Sequence, residues 1–166
     1  YWCKKQHQIP SNPSISFTLN NAKTTTNLNF QRKSSKGFSF EVFLDGKLKE
    51  DFKPKIQQFF QRILAYSPYL HTFHFVIQTR NTFPHSSGIA SSASGISALA
   101  FCLVQLENAL YNGLDEDFIK RKASFLARLG SGSACRSIEG GLVVWGQHHS
   151  IQGSSDLYGC KFPMEI

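Results

Sequence analysis

Residues 14–20 (Ser-Ile-Ser-Phe-Thr-Leu-Asn) alternate polar and apolar, the period-two pattern of a half-buried strand. Residues 24–30 repeat the alternation, with Asn20-Asn21 as a turn signal between the two runs. Residues 37–44 alternate a third time, and Asp45-Gly46 reads as a hairpin turn into Lys47-Leu48-Lys49. The period then lengthens. Pro54 suits the first turn of a helix, and Ile56, Phe59, Phe60, Ile63 and Leu64 make one apolar stripe through about Tyr66, before Pro68. Residues 72–79 predict another strand. A long helix is predicted from about Ser91 to Tyr111, with Ile96, Leu99, Ala100, Leu103, Leu106 and Leu110 at helical spacing, and Asn112-Gly113 stops it. Asp115 is placed to cap a further helix reaching about Leu129. Gly130-Ser-Gly-Ser133 breaks the chain, and residues 134–138 predict one or two helical turns. Gly140-Gly141 leads into a strand at residues 142–145, and the last twenty residues read as loop with a short strand near 158–162. Strands first and mixed elements afterwards predict an α+β domain rather than regular alternation.

Between the strand ending near Thr79 and the long helix lies Phe83-Pro-His-Ser-Ser-Gly-Ile-Ala-Ser-Ser-Ala-Ser-Gly95, small, glycine-punctuated and rich in hydroxyls. Such a loop brings several backbone N–H groups to one point, with the positive end of a helix behind them. The alternatives are a serine-rich linker and an ordinary helix cap. A linker lacks apolar continuation, whereas this segment runs straight into a helical stripe. The favoured reading is a phosphate cradle. No Gly-Lys-Ser/Thr follows, and the spacing is not that of a dinucleotide fingerprint.

A second segment repeats this chemistry. Arg128-Leu-Gly-Ser-Gly-Ser-Ala-Cys-Arg-Ser-Ile-Glu-Gly-Gly141 carries glycines, Ser131 and Ser133, then a helix start with Arg136. Hydroxyls and helix-start amides accept an anion, and a guanidinium adds a bidentate grip on carboxylate or phosphate. The other reading is a capped turn with a surface arginine. Two anion loops in one small domain suggest two charged ligands, such as a nucleoside triphosphate and a phosphorylated acid. Phosphoryl transfer between such ligands depends mostly on positioning and charge neutralisation.

Composition narrows the classes. The 166 residues suffice for one domain with a real core, and 41% hydrophobic and 13% aromatic content marks a globular chain. No apolar run approaches ~20 residues, so no membrane span is expected, and the first residues show no signal-peptide core. The net charge is +7, and twelve of the 18 Lys and Arg lie at or before Arg80. That balance suits phosphorylated small molecules, nucleic acid or an acidic surface, or is simply a solvated basic face. No basic run interleaved with aromatics argues for nucleic acid. The four cysteines have no Cys-x-x-Cys spacing and His148-His149 has no matching ligand pair, which argues against zinc and for a reducing, cytoplasmic compartment.

Four segments together resemble the mevalonate diphosphate decarboxylase family, within the wider superfamily of galactokinase, homoserine kinase, mevalonate kinase and phosphomevalonate kinase. They are Tyr1-Trp-Cys-Lys4; Pro10-Ser-Asn-Pro-Ser-Ile-Ser-Phe-Thr-Leu19 with Thr24-Thr-Thr26; residues 81–95; and Gly130-Ser-Gly-Ser-Ala-Cys-Arg-Ser-Ile-Glu-Gly-Gly141. The third is specific to the superfamily and the fourth to the decarboxylase. The resemblance runs from residue 1 to about Trp145. It implies a ribosomal protein S5 domain 2-like fold, a mixed or antiparallel sheet with helices packed on one side. It also implies the reaction: ATP phosphorylates the 3-hydroxyl of mevalonate 5-diphosphate, then phosphate and carbon dioxide leave to give isopentenyl diphosphate.

Carried over position by position, the resemblance gives ATP the residues Pro84, Ser87, Gly88, Ile89, Ala90, Ser91, Ser92 and Ala93, with Mg2+ at Ser92. It gives the substrate Tyr1, Trp2, Lys4, Lys55, Ser131, Gly132, Ser133, Ala134, Cys135 and Arg136. Arg136 would hold the departing carboxylate, and with Lys4 it makes the expected catalytic pair. Lys55 falls where the family carries an arginine for the diphosphate. Departures are Cys3 for the usual Gly, Lys5-Gln6 for Arg-Asp, and His85-Ser86-Ser87 for Thr-Ala-Ala. Family members run to roughly twice this length, and their second half supplies an aspartate beside the 3-hydroxyl. No Asp-Ala-Gly-Pro-Asn-like segment occurs here. Residues 1–166 are therefore expected to be the N-terminal nucleotide- and substrate-binding domain, inactive when isolated, of an enzyme that relatives suggest is a homodimer. A kinase relative that does not decarboxylate, a monophosphate decarboxylase and a non-catalytic ATP- or polyanion-binding module are the competing expectations.

Overall fold

The computed structural model of the chain describes residues 3–84 and 91–163. Its elements are β1 (Ser14–Phe17), β2 (Thr24–Arg32), β3 (Ser39–Leu44), β4 (Lys47–Leu48), α1 (Lys53–Ile63), β5 (Phe73–Asn81), α2 (Ser91–Tyr111), α3 (Glu116–Gly130), β6 (Leu142–Trp145) and β7 (Cys160–Lys161). The α+β expectation holds, with mixed and antiparallel pairing.

The strands divide into a four-stranded sheet, β2-β5-β3-β4, and a three-stranded one, β1-β6-β7. In the first, β2 runs antiparallel to β5 with Thr24 opposite Asn81, and β3 runs parallel to β5. The parallel pair is possible because α1 crosses over between those strands. β4 folds back on β3 through Asp45 (φ 50) and Gly46 (φ 76), the left-handed pair a two-residue hairpin requires. β1 and β2 are neighbours in sequence but lie in different sheets. β1 pairs with β6, Ser14 opposite Trp145, a register set by contacts across the whole chain.

The core lies under the four-stranded sheet. Pro54 sits in the first turn of α1, and Ile56, Phe59, Phe60 and Ile63 are buried as the stripe predicts. They meet Phe75 and Ile77 of β5 and Leu99, Leu103 and Leu126 from α2 and α3 in one hydrophobic cluster. α2 packs between β2 and α3. Its 21 residues are long and apolar enough to pass for a membrane span, which corrects the expectation of no such run. Ile96, Leu99, Ala100, Leu103 and Val104 are buried in the core, which is why the helix is so apolar. Asp115 caps α3, its carboxylate accepting from Phe118 N–H at 2.7 Å. At the far end of α3, a Cβ on Gly130 would come within 2.6 Å of the Phe59 ring and 2.7 Å of Ile96. Only glycine lets the helix end against α1 and α2 there.

Candidate functional site

Of the first loop, Ser87, Gly88, Ile89 and Ala90 lie outside the described residues, as do Tyr1 and Trp2. Pro84 is exposed before that gap, and Ser91 and Ser92 open α2 beyond it. Hydroxyl bonds fasten this helix start to the sheet. Ser94 Oγ donates to Thr24 Oγ1 at 2.7 Å, and Thr24 donates in turn to Asn81 Oδ1 at 2.7 Å. Thr26 Oγ1 meets Thr79 Oγ1 at 3.1 Å, one step further along the same register. Ser92 remains exposed, with its Oγ accepting a hydrogen bond from Lys55 Nζ.

Lys55 reaches Ser92 from the first turn of α1. It keeps an exposed side, yet partial burial of its ammonium, and then the field of Lys4, push its pKa below the usual lysine value. Lys55 therefore stands beside the proposed metal serine, where the resemblance placed it on the substrate's diphosphate. Lys55, Ser91, Ser92, Asn81, Thr79 and Thr26 border a cavity of about 260 Å³ whose floor is apolar.

The second loop forms a short 3-10 helix, Gly132–Ser137, directly after α3. Three side chains from two helices support it from behind. Ser97 of α2 donates to Ala134 O. Ser124 of α3 donates to Cys135 O at 2.7 Å and accepts from Gly159 N–H at 2.9 Å, so a hydroxyl ties the loop to the tail. Arg128, 2% exposed, donates to Leu157 O at 2.7 Å and to His7 O, bringing the tail and the N-terminal segment together behind the loop. Ala134 and Cys135 are fully buried, and the Cys135 thiol donates back to Gly132 O at 3.0 Å. Burial pushes that thiol up to about 12. The side chains of these two residues therefore serve the loop's own packing, and toward a ligand they offer backbone.

Arg136 faces forward. Its Nη1 donates to Ser14 Oγ at 3.1 Å, and its guanidinium carbon lies 5.9 Å from the Trp145 ring. With Ser133, Ser16, Thr24, Ser94 and Ser97 it lines an open cleft of about 590 Å³. Arg136 is therefore half-buried and oriented, unlike the surface arginine of the competing reading.

Ser92 and Arg136 do not border one cavity among the described residues. They face two adjoining openings on either side of the first turns of α2, and Thr26 borders both. Lys4 lies against the second loop, within electrostatic reach of Lys55. A Cβ on Gly132 would lie 3.2 Å from Lys4 Cε and 3.0 Å from Trp145, and the Lys4 charge acts on Lys55. Sequence reasoning named Lys4, Lys55, Ser92 and Arg136 but missed Ser14, Ser97, Ser124 and Arg128. Serines 97 and 124 carried one available signal, polar positions on otherwise buried helix faces.

Comparison with known proteins gives the family of the chain. The family described as diphosphomevalonate decarboxylase-like N-terminal domain matches residues 1–157. The diphosphomevalonate decarboxylase of Bos taurus is 31% identical over 99% of this chain and 42% of its own length. The solved mevalonate diphosphate decarboxylase from Enterococcus faecalis superposes with a TM-score of 0.73 at 34% identity, over 98% of this chain and 47% of its own. A further solved structure, MDDEF in complex with MVAPP, AMPPCP and magnesium, gives 0.72 at 34% identity, over 98% of this chain and 46% of its own. The chain thus spans less than half the length of these relatives. On its motifs, its fold and the match over residues 1–157, it belongs to the diphosphomevalonate decarboxylase-like N-terminal domain family.

Proposed function

We propose that the protein carrying this chain is an ATP-dependent decarboxylase of mevalonate 5-diphosphate, with residues 1–166 as its nucleotide- and substrate-binding domain. One observation carries this reading. Lys4 packs on Gly132 of the acid loop, its charge reaches Lys55, and Lys55 holds Ser92 at the start of α2. A cation thus stands at each loop, Lys4 at the second and Lys55 at the first, which is what two polyanions brought together for phosphoryl transfer require.

ATP belongs on the α2 side, with Pro84, Ser87, Gly88, Ile89, Ala90, Ser91, Ser92 and Ala93. The exposed Ser92 hydroxyl, the helix start and the neighbouring ammonium fit phosphate oxygens. No trio of His, Cys, Asp or Glu able to hold a metal occurs among the described residues, so Ser92 would be this chain's contribution to Mg2+. Such an ion would neutralise phosphate charge when bound. The acid belongs on the other side, with Tyr1, Trp2, Lys4, Ser131, Ser133 and Arg136.

In the reaction, the 3-hydroxyl oxygen attacks the γ-phosphorus, ADP leaves, and the hydroxyl proton passes to the aspartate that the resemblance places in the second half of the protein. The C3–O bond then breaks with its electrons on phosphate. The bond to the carboxylate breaks next, and its electrons form the new double bond as carbon dioxide departs. Arg136 suits this step because a guanidinium anchors the carboxylate without giving up a proton. A cytoplasmic location and a homodimer complete the reading; the four cysteines are free thiols, compatible with a reducing compartment.

Supplied with ATP, Mg2+ and mevalonate 5-diphosphate, the protein carrying this chain is expected to release carbon dioxide and orthophosphate in equal amounts. Phosphorylation of the acid without carbon dioxide, or carbon dioxide from the monophosphate instead, would assign it to a related kinase or decarboxylase.

A further inference from the structure

We propose that Lys55 binds the terminal phosphate of the nucleotide, and does not grip the diphosphate of the acid. This rests on the ATP-dependent reading above and reassigns one residue within it.

Three observations point the same way. The Lys55 ammonium donates to Ser92 Oγ, at the start of the helix that would receive the phosphates. Lys55 borders the cavity of Ser91, Ser92 and Asn81, whereas Ser133 and Arg136 border the other opening. The acid loop also has its own lysine, because Lys4 is the cation packed on Gly132. The position of Lys55 is firm at its base. Ile56 and Phe59, one and four residues on, are buried in the core, so α1 cannot swing the side chain across to Arg136.

Electrostatics favour an anion here. No carboxylate lies within ion-pair distance of Lys55 among the described residues, where the ion pairs join Lys53, Lys120, Lys122 and Lys161 to glutamates. A neutral hydroxyl is a weak partner for a partly desolvated ammonium beside a second lysine. A phosphate oxygen bridging Lys55 and Ser92 relieves both costs, and a point charge suits a phosphate that changes shape during transfer.

The test is equilibrium binding of Mg-ATP, Mg-ADP and mevalonate 5-diphosphate, each alone, to the chain and to its Lys55→Met and Lys55→Arg variants. Lys55→Met is expected to weaken ATP roughly tenfold or more, the scale of a lost charge-assisted bond. ADP is expected to weaken less, the acid to stay within about twofold, and Lys55→Arg to restore most ATP affinity. An unchanged ATP affinity with weakened acid binding overturns the assignment and returns Lys55 to the diphosphate. A wild-type chain that binds no ATP defeats the ATP reading itself, and this assignment with it. Unaltered circular dichroism of the variants separates lost contact from lost fold.

Discussion

At the scale of single residues, the second loop divides its labour by direction. Arg136 points into the cleft, while Cys135 and Ala134 point into the core. Replacing Arg136 by Lys keeps a positive charge but loses the fork, the Ser14 bond and the stacking on Trp145. In the complete protein, turnover is expected to fall by roughly 10²–10³ with ATP affinity retained; near-normal turnover would remove Arg136 from the carboxylate. Cys135 gives a test of burial. Its thiol is raised from 9.0 to about 12 in the folded chain. Above pH 9 an unfolded thiol ionises while the folded one stays protonated, so the folded state binds more protons. Stability is thus intact below pH 9 and declines as pH rises toward about 12. Denaturant titrations across that window are expected to show a shallower decline for Cys135→Ala than for the wild type. Equal slopes would mean the thiol is open to solvent.

At the scale of elements, α2 and α3 serve as a frame for both openings. α2 offers its first turn to one opening, lends Ser94 to the other, and pins the second loop through Ser97. α3 ends at Gly130, where the fit against Phe59 and Ile96 leaves no room for a methyl group. Gly130→Ala is expected to destabilise the chain by about 1–3 kcal/mol, measured by urea unfolding, because two buried side chains must move. A neutral result would mean that α3 stops elsewhere.

These helices were legible in the sequence because a 3.6-residue stripe, Pro54, Asp115 and Asn112-Gly113 are local signals. Apart from the β3–β4 hairpin that Asp45-Gly46 announces, the strands were legible as strands but not as partners. Ser14 pairs with Trp145 and Thr24 with Asn81, and alternation alone says nothing about which edge meets which. For the same reason the loop's rear supports were hidden. Ser124 acts on Gly159, and Arg128 on Leu157 and His7, through backbone carbonyls and amides that carry no sequence signature. The candidate site residues lie in short motifs that can be picked out along the chain; their grouping into two openings could not be.

At the scale of the molecule, those openings flank one helix start and share Thr26 on their borders. On the proposed reading such a layout would hold two polyanions side by side, each lowering the repulsion between cations that the other faces. The most direct test is calorimetric titration of the chain with Mg-ATP and mevalonate 5-diphosphate, each alone and each in the presence of the other. Simultaneous binding of one molecule of each is the expected result, with Arg136→Ala abolishing only the acid. Mutual exclusion of the two ligands, with saturating ATP preventing any binding of the acid, would show a single shared anion site and contradict the account.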